Sequence, residues 1–520
     1  MALLREGSNA VPMRSRRRTT ILNLCFQAYS VGIAIVSGVL LVPLYLRHIP
    51  TDLYGAWQAS GNVLMWMTML DPGLSAVLQQ RVAESYGARD TKAVSEWIAS
   101  GLWITAGIVA LLFVVGMTCS VFLGSWMNLP SGVDQHQLSS AFRWSVAGNA
   151  LMILSFSVTS ANQGLQSGMG IGLIFVGVTM LRLVLVLVLV TSGFGLYAIA
   201  VPSVAMGLLL FAGSYAYMRR RLQRENIPFT LAPRRLKALG ALLSVTSLGR
   251  CATLVANNVD LFLVARILGP ESVNVLRLTR TAPEMSRMLV ERPIAAVQPS
   301  LSHLLGSGGT DRAREILLRM LRLIVWLLGL LIGGFIVFNQ DFMRLWVGSR
   351  FYAGTSINVL LVAAFLVSVG TSMLSNLCFS AGKIRGTSLV GFAQVLLYLP
   401  MLWAGGRWFG MPGIVAAGLL SIALTQGWYL PRAFARIYKV TKGDRNQFLI
   451  ATFPAVLAAA LPAAVLSRRV TPSWPLFALS VGAFAASYGL ILVLLCKTAR
   501  DELRNGYIAI QSGISRWHHS

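Results

Sequence analysis

The stretch Leu173–Thr191, LIFVGVTMLRLVLVLVLVT, decides the solvent in which this chain folds. It contains a single charged residue, Arg182, and the stretch Leu323–Phe338, LIVWLLGLLIGGFIVF, contains none. A helix of roughly 20 such residues crosses the apolar core of a bilayer. Both stretches therefore predict membrane-spanning helices.

The composition of the whole chain agrees with these two stretches. Of 520 residues, 55% are hydrophobic and 12% are charged, and the mean hydropathy is +0.67. Soluble domains carry roughly 25% charged residues, so a water-soluble protein of this length could not cover its surface. We predict an all-α, polytopic membrane protein.

The apolar runs predict about fourteen spans. The first run, from about residue 21 to 46, is longer than the apolar part of a signal peptide, roughly 7–15 residues, and is interpreted as an uncleaved span. The predicted spans are 20–45, 55–79, 97–123, 142–165, 171–192, 195–218, 238–268, 274–305, 316–338, 355–381, 387–405, 411–434, 447–467 and 475–496.

The charge is unevenly distributed, with 44 Lys plus Arg against 18 Asp plus Glu. A net charge of +26 is compatible with nucleic-acid binding, but the basic residues lie in short loops between apolar runs, which is typical of cytoplasmic loops. If the N-terminus is cytoplasmic and the spans alternate in direction, most of the basic residues lie on the cytoplasmic side, including those of Arg219–Lys237. We expect a multi-pass protein of a bacterial inner (cytoplasmic) membrane with both termini cytoplasmic.

The chain also contains a weak internal repeat. LVPLYLRHIPTDLYG (41–55) and LFLVARILGPESVN (261–274) lie about 220 residues apart, and each leads into a span and a glycine-containing polar loop. Such repeats are common in transporters. We predict a cytoplasmic N-terminal tail (1–19), two six-helix lobes (20–218 and 238–434) joined by a basic linker (219–237), an additional helix pair (447–496) and a cytoplasmic C-terminal tail (497–520).

The eighth predicted span, 274–305, is unusual because it is heavily charged. Arg277, Arg280, Glu284, Arg287 and Glu291 follow one another at steps of three or four residues, so a helix places them on one stripe. In one interpretation these residues compensate one another as pairs at helical spacing. In the other, the surplus arginines face an anionic ligand, and the three prolines of the span bend a moving element.

Further charges lie in or beside other predicted spans. Arg182, Arg250 and Arg292 join Arg280 and Arg287 as candidates for binding pyrophosphate, because the guanidinium fork stays ionised and can bind phosphate in a bidentate manner. Arg182 could equally be a snorkelling or interhelical partner. The acidic residues are assigned structural or coupling roles; they are Asp71, Asp260, Glu284 and Glu291.

Signatures of an enzyme or of a metal site are missing from the sequence. There is no complete phosphate-binding loop, and the nearest string, SAGKIRG, lacks the first glycine and the hydroxyl residue after the lysine. The five cysteines and five histidines are scattered. We therefore expect no enzymatic activity, no metal and no cofactor.

The N-terminal residues resemble a known family. LLVPLYLRHIPTDLYGAWQ (40–58) followed by MLDPGLSAVLQQRVAE (69–84) is similar to the polysaccharide transporter family, which includes the O-antigen-type flippases of the multidrug/oligosaccharidyl-lipid/polysaccharide exporter superfamily. The resemblance implies two six-helix lobes around a central cavity. It also implies that Arg250, Arg280, Arg287 and Arg292 correspond by location to the arginines that line the cavity of related flippases.

The function that follows from the resemblance and the arginines is outward transport of a polyprenyl-pyrophosphate-linked oligosaccharide by alternating access. Such a glycan would be a surface polysaccharide or exopolysaccharide repeat unit, and a glycan polymerase and glycosyltransferases of the same pathway would be partners. One alternative is an ion-coupled multidrug exporter of the same superfamily, which would need carboxylates in the first lobe. Another is a membrane-embedded glycan polymerase or glycosyltransferase.

Overall fold

A computed structural model describes most of the chain, and all the regular structure in the described part is helical. The described residues are 29, 32–33, 36–69, 74–127, 129, 133–165, 168–237, 239–240, 259–287, 290–291, 310–381, 384–466, 473–502 and 504. The contacts between residues divide the chain into two compact units, Met1–Val273 and Asn274–Ser520.

The first unit contains eight described helices, and a ninth begins in it. They are α1 (Val36–His48), α2 (Thr51–Met69), α3 (Leu74–Gly87), α4 (Thr91–Trp126), α5 (Gln135–Gly164), α6 (Gly168–Thr191), α7 (Tyr197–Arg224) and α8 (Asp260–Leu268). The helix α9 (Pro270–Thr279) begins in the first unit and ends in the second.

The second unit continues with long helices after residue 309. They are α10 (Thr310–Trp346), α11 (Thr355–Ser380), α12 (Ile384–Leu424), α13 (Gln426–Ile437), α14 (Lys442–Leu466) and α15 (Trp474–Leu495). The helix α12 is kinked at Gly410, which has φ of +63° and is followed by Pro412. The kink falls between the predicted spans 387–405 and 411–434, so these two spans follow each other without a polar loop.

The helices are long and apolar enough to cross a membrane. Within the described ranges, nine helical stretches meet that condition by length and composition, and one of them is the 52-residue stretch Gly386–Ile437. The chain is a multi-pass membrane protein. Fourteen as the number of spans stays a prediction, because part of the spans predicted at 20–45, 238–268 and 274–305 lies outside the described residues.

The described helices do not coincide with the predicted spans everywhere. The second predicted span, 55–79, covers parts of the helices α2 and α3, and residues 70–73 between them lie outside the described residues. The helices α4 and α10 are 36 and 37 residues long, whereas 97–123 and 316–338 were predicted. Hydropathy marks only the apolar middle of a helix, and both helices begin with a polar turn.

Two described helices of the first unit lie at nearly the same spacing from two helices of the second unit. The first residues of α4 and α10 are 219 positions apart in the sequence, and their last residues are 220 positions apart. The first residues of α5 and α11 are also 220 positions apart. The spacing is the one measured between the two sequence copies. The compact units divide after Val273, and α8 packs on α2 within the first of them, whereas the two six-helix lobes 20–218 and 238–434 stay a prediction.

Local sequence explains the starts of the long helices in the first unit. The side chains of Asp90 and Asp134 accept hydrogen bonds from Ala93 N and Gln137 N at 2.9 and 2.8 Å, which satisfies backbone donors at the starts of α4 and α5. Behind these caps, α3, α4, α5 and α7 share a hydrophobic core that includes Leu78 and Ile98.

The last helix pair of the second unit packs against α10 through glycines. A Cβ atom on Gly329 would lie 2.7 Å from the Tyr488 hydroxyl, and one on Gly333 would lie 2.7 Å from Cζ of Phe484. The Tyr488 hydroxyl donates to the carbonyl of Trp326 at 2.5 Å. Small residues let helices approach closely in a membrane, so these two glycines form the docking face for α15.

Candidate functional site

A break in the helix interrupts the charged stripe of the eighth predicted span. Helix α9 ends at Thr279, the chain turns at Arg280, and it is helical again over 281–287. Pro283 has no backbone N–H, so the carbonyl of Thr279 loses its usual partner four residues ahead. The proline therefore explains a break beside the first paired arginine of the stripe.

The second unit supplies a partner for the carbonyl that Pro283 leaves free. Nδ2 of Asn339 on α10 donates to Thr279 O at 2.9 Å and to Oδ1 of Asn358 on α11 at 2.7 Å. Asn358 in turn donates to Phe335 O at 3.1 Å. Thr279, Asn339 and Asn358 are 0–2% exposed. This buried polar network fixes the position of the helix break relative to α10 and α11.

The first arginine after the break forms an ion pair. Nε of Arg280 lies 2.8 Å from a carboxylate oxygen of Glu284, four residues ahead. The Nε–H does not point at that oxygen, so the contact is an ion pair rather than a hydrogen bond. The Arg280 side chain is 19% exposed and that of Glu284 is 57% exposed. The carboxylate is therefore the more accessible member of the pair.

The second pair has better hydrogen-bond geometry. Nε of Arg287 donates to Oε1 of Glu291 at 2.7 Å, and the hydroxyl of Ser372 on α11 donates to the same oxygen at 3.1 Å. The Arg287 side chain is 40% exposed. Among the described residues, none bonds to its two terminal nitrogens. Glu291 therefore orients the guanidinium through Nε, and within the described part of the chain the outer edge of the fork carries no hydrogen bond.

Arg182 lies in the first unit, in the middle of α6. It is half-buried, and its Nε has no hydrogen-bond partner among the described residues. It interacts electrostatically with Tyr45 of α1, whose side chain is 8% exposed. A tyrosine hydroxyl is neutral and does not compensate the charge. Among the described residues, Tyr45 is thus a polar interhelical neighbour of Arg182 that does not neutralise it, and the role of Arg182 stays a prediction.

The remaining predicted site residues are placed only in part. Asp260 is the first residue of α8 and is 9% exposed, and its Oδ1 accepts from Leu261 N at 2.8 Å. This position agrees with a structural role at a helix start. Arg250, Arg292 and Asp71 lie outside the described residues. Assignment of all these residues to a substrate site stays a prediction.

The described carboxylates of the first unit lie at or near helix ends. Asp52 and Glu96 are in the first two turns of α2 and α4, Glu84 is in the last turn of α3, and Asp90 and Asp134 are caps. No described Asp or Glu of this unit occupies the middle of a membrane-spanning helix. Among the described residues of both units, there is no cluster of three or more His, Cys, Asp or Glu that could hold a metal ion.

Sequence reasoning missed several residues of this region. Ser372, Asn339 and Asn358 each lie on a long apolar helix and make contacts with residues 19 to 81 positions away. A signal was present for the asparagines, since an amide in an apolar span is costly unless it is hydrogen-bonded. Their partners could not be read from local spacing.

The chain was compared with protein families, with curated proteins and with solved structures. Residues 169–355 match the model of a family described as polysaccharide biosynthesis protein. No curated protein matches the chain.

Solved structures match over most of the chain. The inward closed conformation of the lipid II flippase MurJ superposes with a TM-score of 0.64 at 12% identity, covering 93% of this chain and 100% of that one. An inward-facing multidrug resistance MATE family transporter of the MOP superfamily gives 0.63 at 14% identity, covering 77% and 94%. A MATE transporter of Vibrio cholerae gives 0.50 at 18% identity, covering 80% and 95%.

These likenesses confirm the resemblance that the N-terminal residues predicted. At such low identity the solved structures establish the fold, and the family model adds a match in sequence. The chain is a membrane protein with the fold of the MOP-superfamily flippases and exporters, and it is similar in sequence to a family of polysaccharide biosynthesis proteins.

Proposed function

We propose that the protein is a flippase that moves a polyprenyl-pyrophosphate-linked oligosaccharide from the cytoplasmic to the periplasmic leaflet by alternating access. The lipid tail stays in the bilayer while the charged head crosses the membrane. Energy comes from an ion gradient or the membrane potential, and the chain itself catalyses no reaction. Glycosyltransferases and a glycan polymerase of the same pathway supply and use the glycan.

The observation that carries this proposal is the arrangement of Arg287. Its Nε is bonded to Glu291, which Ser372 holds in turn, while no described residue bonds to its terminal nitrogens. Two parallel N–H groups match the spacing of two phosphate oxygens. A pyrophosphate can therefore bind the outer edge of the fork without breaking the ion pair that orients it.

Arg182 supports the same class of substrate. An arginine at the centre of a membrane-spanning helix costs about 2.5–3.5 kcal/mol on insertion scales, and Arg182 has no described carboxylate to offset that cost. Such residues usually mark a substrate pathway. An anionic headgroup would supply the missing countercharge during transport.

The multidrug alternative has less support in the side chains. Exchange of protons or cations needs a carboxylate inside the first lobe, and the described carboxylates of the first unit lie at or near helix ends. The likeness to MATE transporters shows the fold and does not extend to this chemistry. We expect deletion of the gene to leave resistance to drugs unchanged.

The test is transport by Arg287→Ala in a strain that lacks the chromosomal gene. We expect glycan at the cell surface to fall at least about tenfold and lipid-linked oligosaccharide to accumulate in the membrane, with normal protein levels. Arg344→Ala is the matched control, because Arg344 pairs with Asp341 at 3.1 Å on the last turn of α10. Normal export by Arg287→Ala, or equal loss in both variants, would contradict the proposal.

A further inference from the structure

The chain does not leave the first unit as a loose linker after α7. The helix ends at Arg224, Asn226 adopts a left-handed conformation with φ of +52°, and Ile227 N bonds to Leu222 O at 2.9 Å. This is a Schellman motif with its hydrophobic contact, since Ile227 and Leu222 belong to the same buried cluster. The motif turns the chain back across the unit. We call the returning segment, residues 225–237, the strap.

One side of the strap is bonded to the start of α4. Ser95 and Thr230 are joined by two contacts, Thr230 N to Ser95 Oγ at 2.8 Å and hydroxyl to hydroxyl at 2.9 Å. Arg235 pairs with Glu96 at 3.3 Å, and its guanidinium carbon lies 4.5 Å from the ring centre of Trp97. These contacts fix which side chains of the strap face outward.

The depth of the strap follows from its partners on α4. The hydroxyl of Ser100 donates to Ala232 O at 3.4 Å, and Ser100 is the fourth residue of the span predicted at 97–123. The strap therefore lies at the level where the apolar part of α4 begins. In a membrane protein this level is the boundary between headgroups and acyl chains.

The outward side of the strap combines apolar and basic groups. Phe229 is 53% exposed and Leu231 is 47% exposed, although both lie beside residues bonded to α4. Arg234 and Lys237 are exposed, and Arg224 is exposed at the end of α7. Apolar side chains flanked by basic ones at this depth are typical of segments that insert into the interface of a membrane with anionic lipids.

We propose that the outward side of the strap is a binding surface for acidic phospholipids of the adjacent leaflet. Phe229 and Leu231 insert among the acyl chains next to the headgroups, and Arg234 and Lys237 contact the phosphates. The bonds to Ser95, Glu96 and Ser100 hold the strap in the orientation that this needs. The proposal does not depend on which substrate the protein transports, because its test measures lipid binding.

The experiment uses the purified full-length protein in detergent micelles. Binding of phosphatidylglycerol with a fluorescent acyl chain is measured by energy transfer from tryptophan, with labelled phosphatidylcholine for comparison. We expect the wild type to prefer phosphatidylglycerol at low salt. Arg234→Gln with Lys237→Gln should raise its Kd at least about tenfold, since each basic group near an anionic surface contributes a factor of about five.

The apolar side chains are tested with a matched pair of variants. Phe229→Ser with Leu231→Ser should raise the Kd for both lipids about tenfold. Phe194→Ser is the control, because Phe194 is also 53% exposed but lies before the other end of α7. The charge variant changes only exposed side chains, so it remains informative if the apolar variant does not fold.

Four results would overturn the proposal. Equal binding of the two lipids by the wild type would show that the surface does not select anionic headgroups. An unchanged Kd in the Arg234 and Lys237 variant, or an equal loss in Phe194→Ser, would place binding elsewhere. Displacement of the lipid by inorganic phosphate at millimolar concentration would show a phosphate site instead of a membrane surface.

Discussion

At the scale of single residues, Arg182 has a cost in stability that no described carboxylate offsets. No described hydrogen bond satisfies Nε, and its electrostatic neighbour Tyr45 is a neutral phenol. We therefore expect Arg182→Leu to raise the midpoint of thermal unfolding by about 2 °C, because the substitution removes a charge from the membrane. We also expect it to reduce glycan export at least about tenfold. Thermal unfolding and export are measured on the same preparations.

A paired arginine gives the control for Arg182. Arg221 donates to the Tyr86 hydroxyl at 3.1 Å and to Glu225 at 3.0 Å, so Arg221→Leu should lower the unfolding midpoint. If Arg182→Leu also lowers it, Arg182 has a structural partner. If it raises stability and leaves export unchanged, Arg182 does not bind substrate.

Asn339 is the residue that compensates for Pro283, and the two should be energetically coupled. Asn339→Ala leaves Thr279 O and Asn358 without a donor, at a cost of about 1–3 kcal/mol for each buried group. In the background of Pro283→Ala, residue 283 has an N–H that can bond to Thr279 O. We expect the cost of Asn339→Ala to fall there by about 1 kcal/mol, measured as a double-mutant cycle of unfolding free energies. Strict additivity would mean that the proline does not create the need for Asn339.

At the scale of elements, the helix pair α14 and α15 depends on two glycines of α10. Gly333→Ala forces its Cβ against Phe484, whereas a Cβ on the neighbouring Gly334 would lie 4.0 Å from the same ring. We expect Gly333→Ala to destabilise the protein by about 1–3 kcal/mol through overpacking and Gly334→Ala to be neutral or slightly stabilising. Protease accessibility of the connection after α13 reports undocking of the pair. Equal behaviour of the two variants would rule out the glycine docking face.

The same scale shows what could be predicted from sequence. The i,i+4 pairs Arg280–Glu284 and Arg287–Glu291 were expected as one interpretation of the charged stripe, because helical spacing is a local property. The network of Thr279, Asn339 and Asn358 was not expected, since it joins residues that only the packing of α10 and α11 brings together. The full lengths of α4 and α10 exceed the predicted spans, because hydropathy does not detect the polar first turns.

The strap shows why a charge run is difficult to interpret without a structure. Its sequence predicted a cytoplasmic basic linker, and composition alone does not distinguish a flexible tether from a bound segment. The bonds from Thr230 and Arg235 to α4 span 135 and 139 residues. Those contacts separate the residues that hold the strap from the ones that face outward.

At the scale of the whole molecule, the repeat and the charge distribution together predict the topology. With fourteen spans, residues 219–237 and the C-terminus are on the same side of the membrane as the N-terminus, and residues 193–195 and 348–354 are on the other. One span more or one fewer than predicted within the partly described segments 20–45 or 238–305 would move the downstream loops to the opposite side. The positive-inside rule contradicts that alternative, because it would place the basic segment 432–445 outside.

Reporter fusions test this topology directly. Alkaline phosphatase, which is active only outside the cytoplasm, and green fluorescent protein, which folds inside it, are fused in parallel after residues 194, 231, 352, 441 and 520. We expect phosphatase activity after 194 and 352 and fluorescence after 231, 441 and 520. Phosphatase activity after 441 and 520 together with fluorescence after 352 would show an odd number of spans between the strap and α10. That result would contradict the predicted equivalence of the two lobes, on which the proposed alternating access depends.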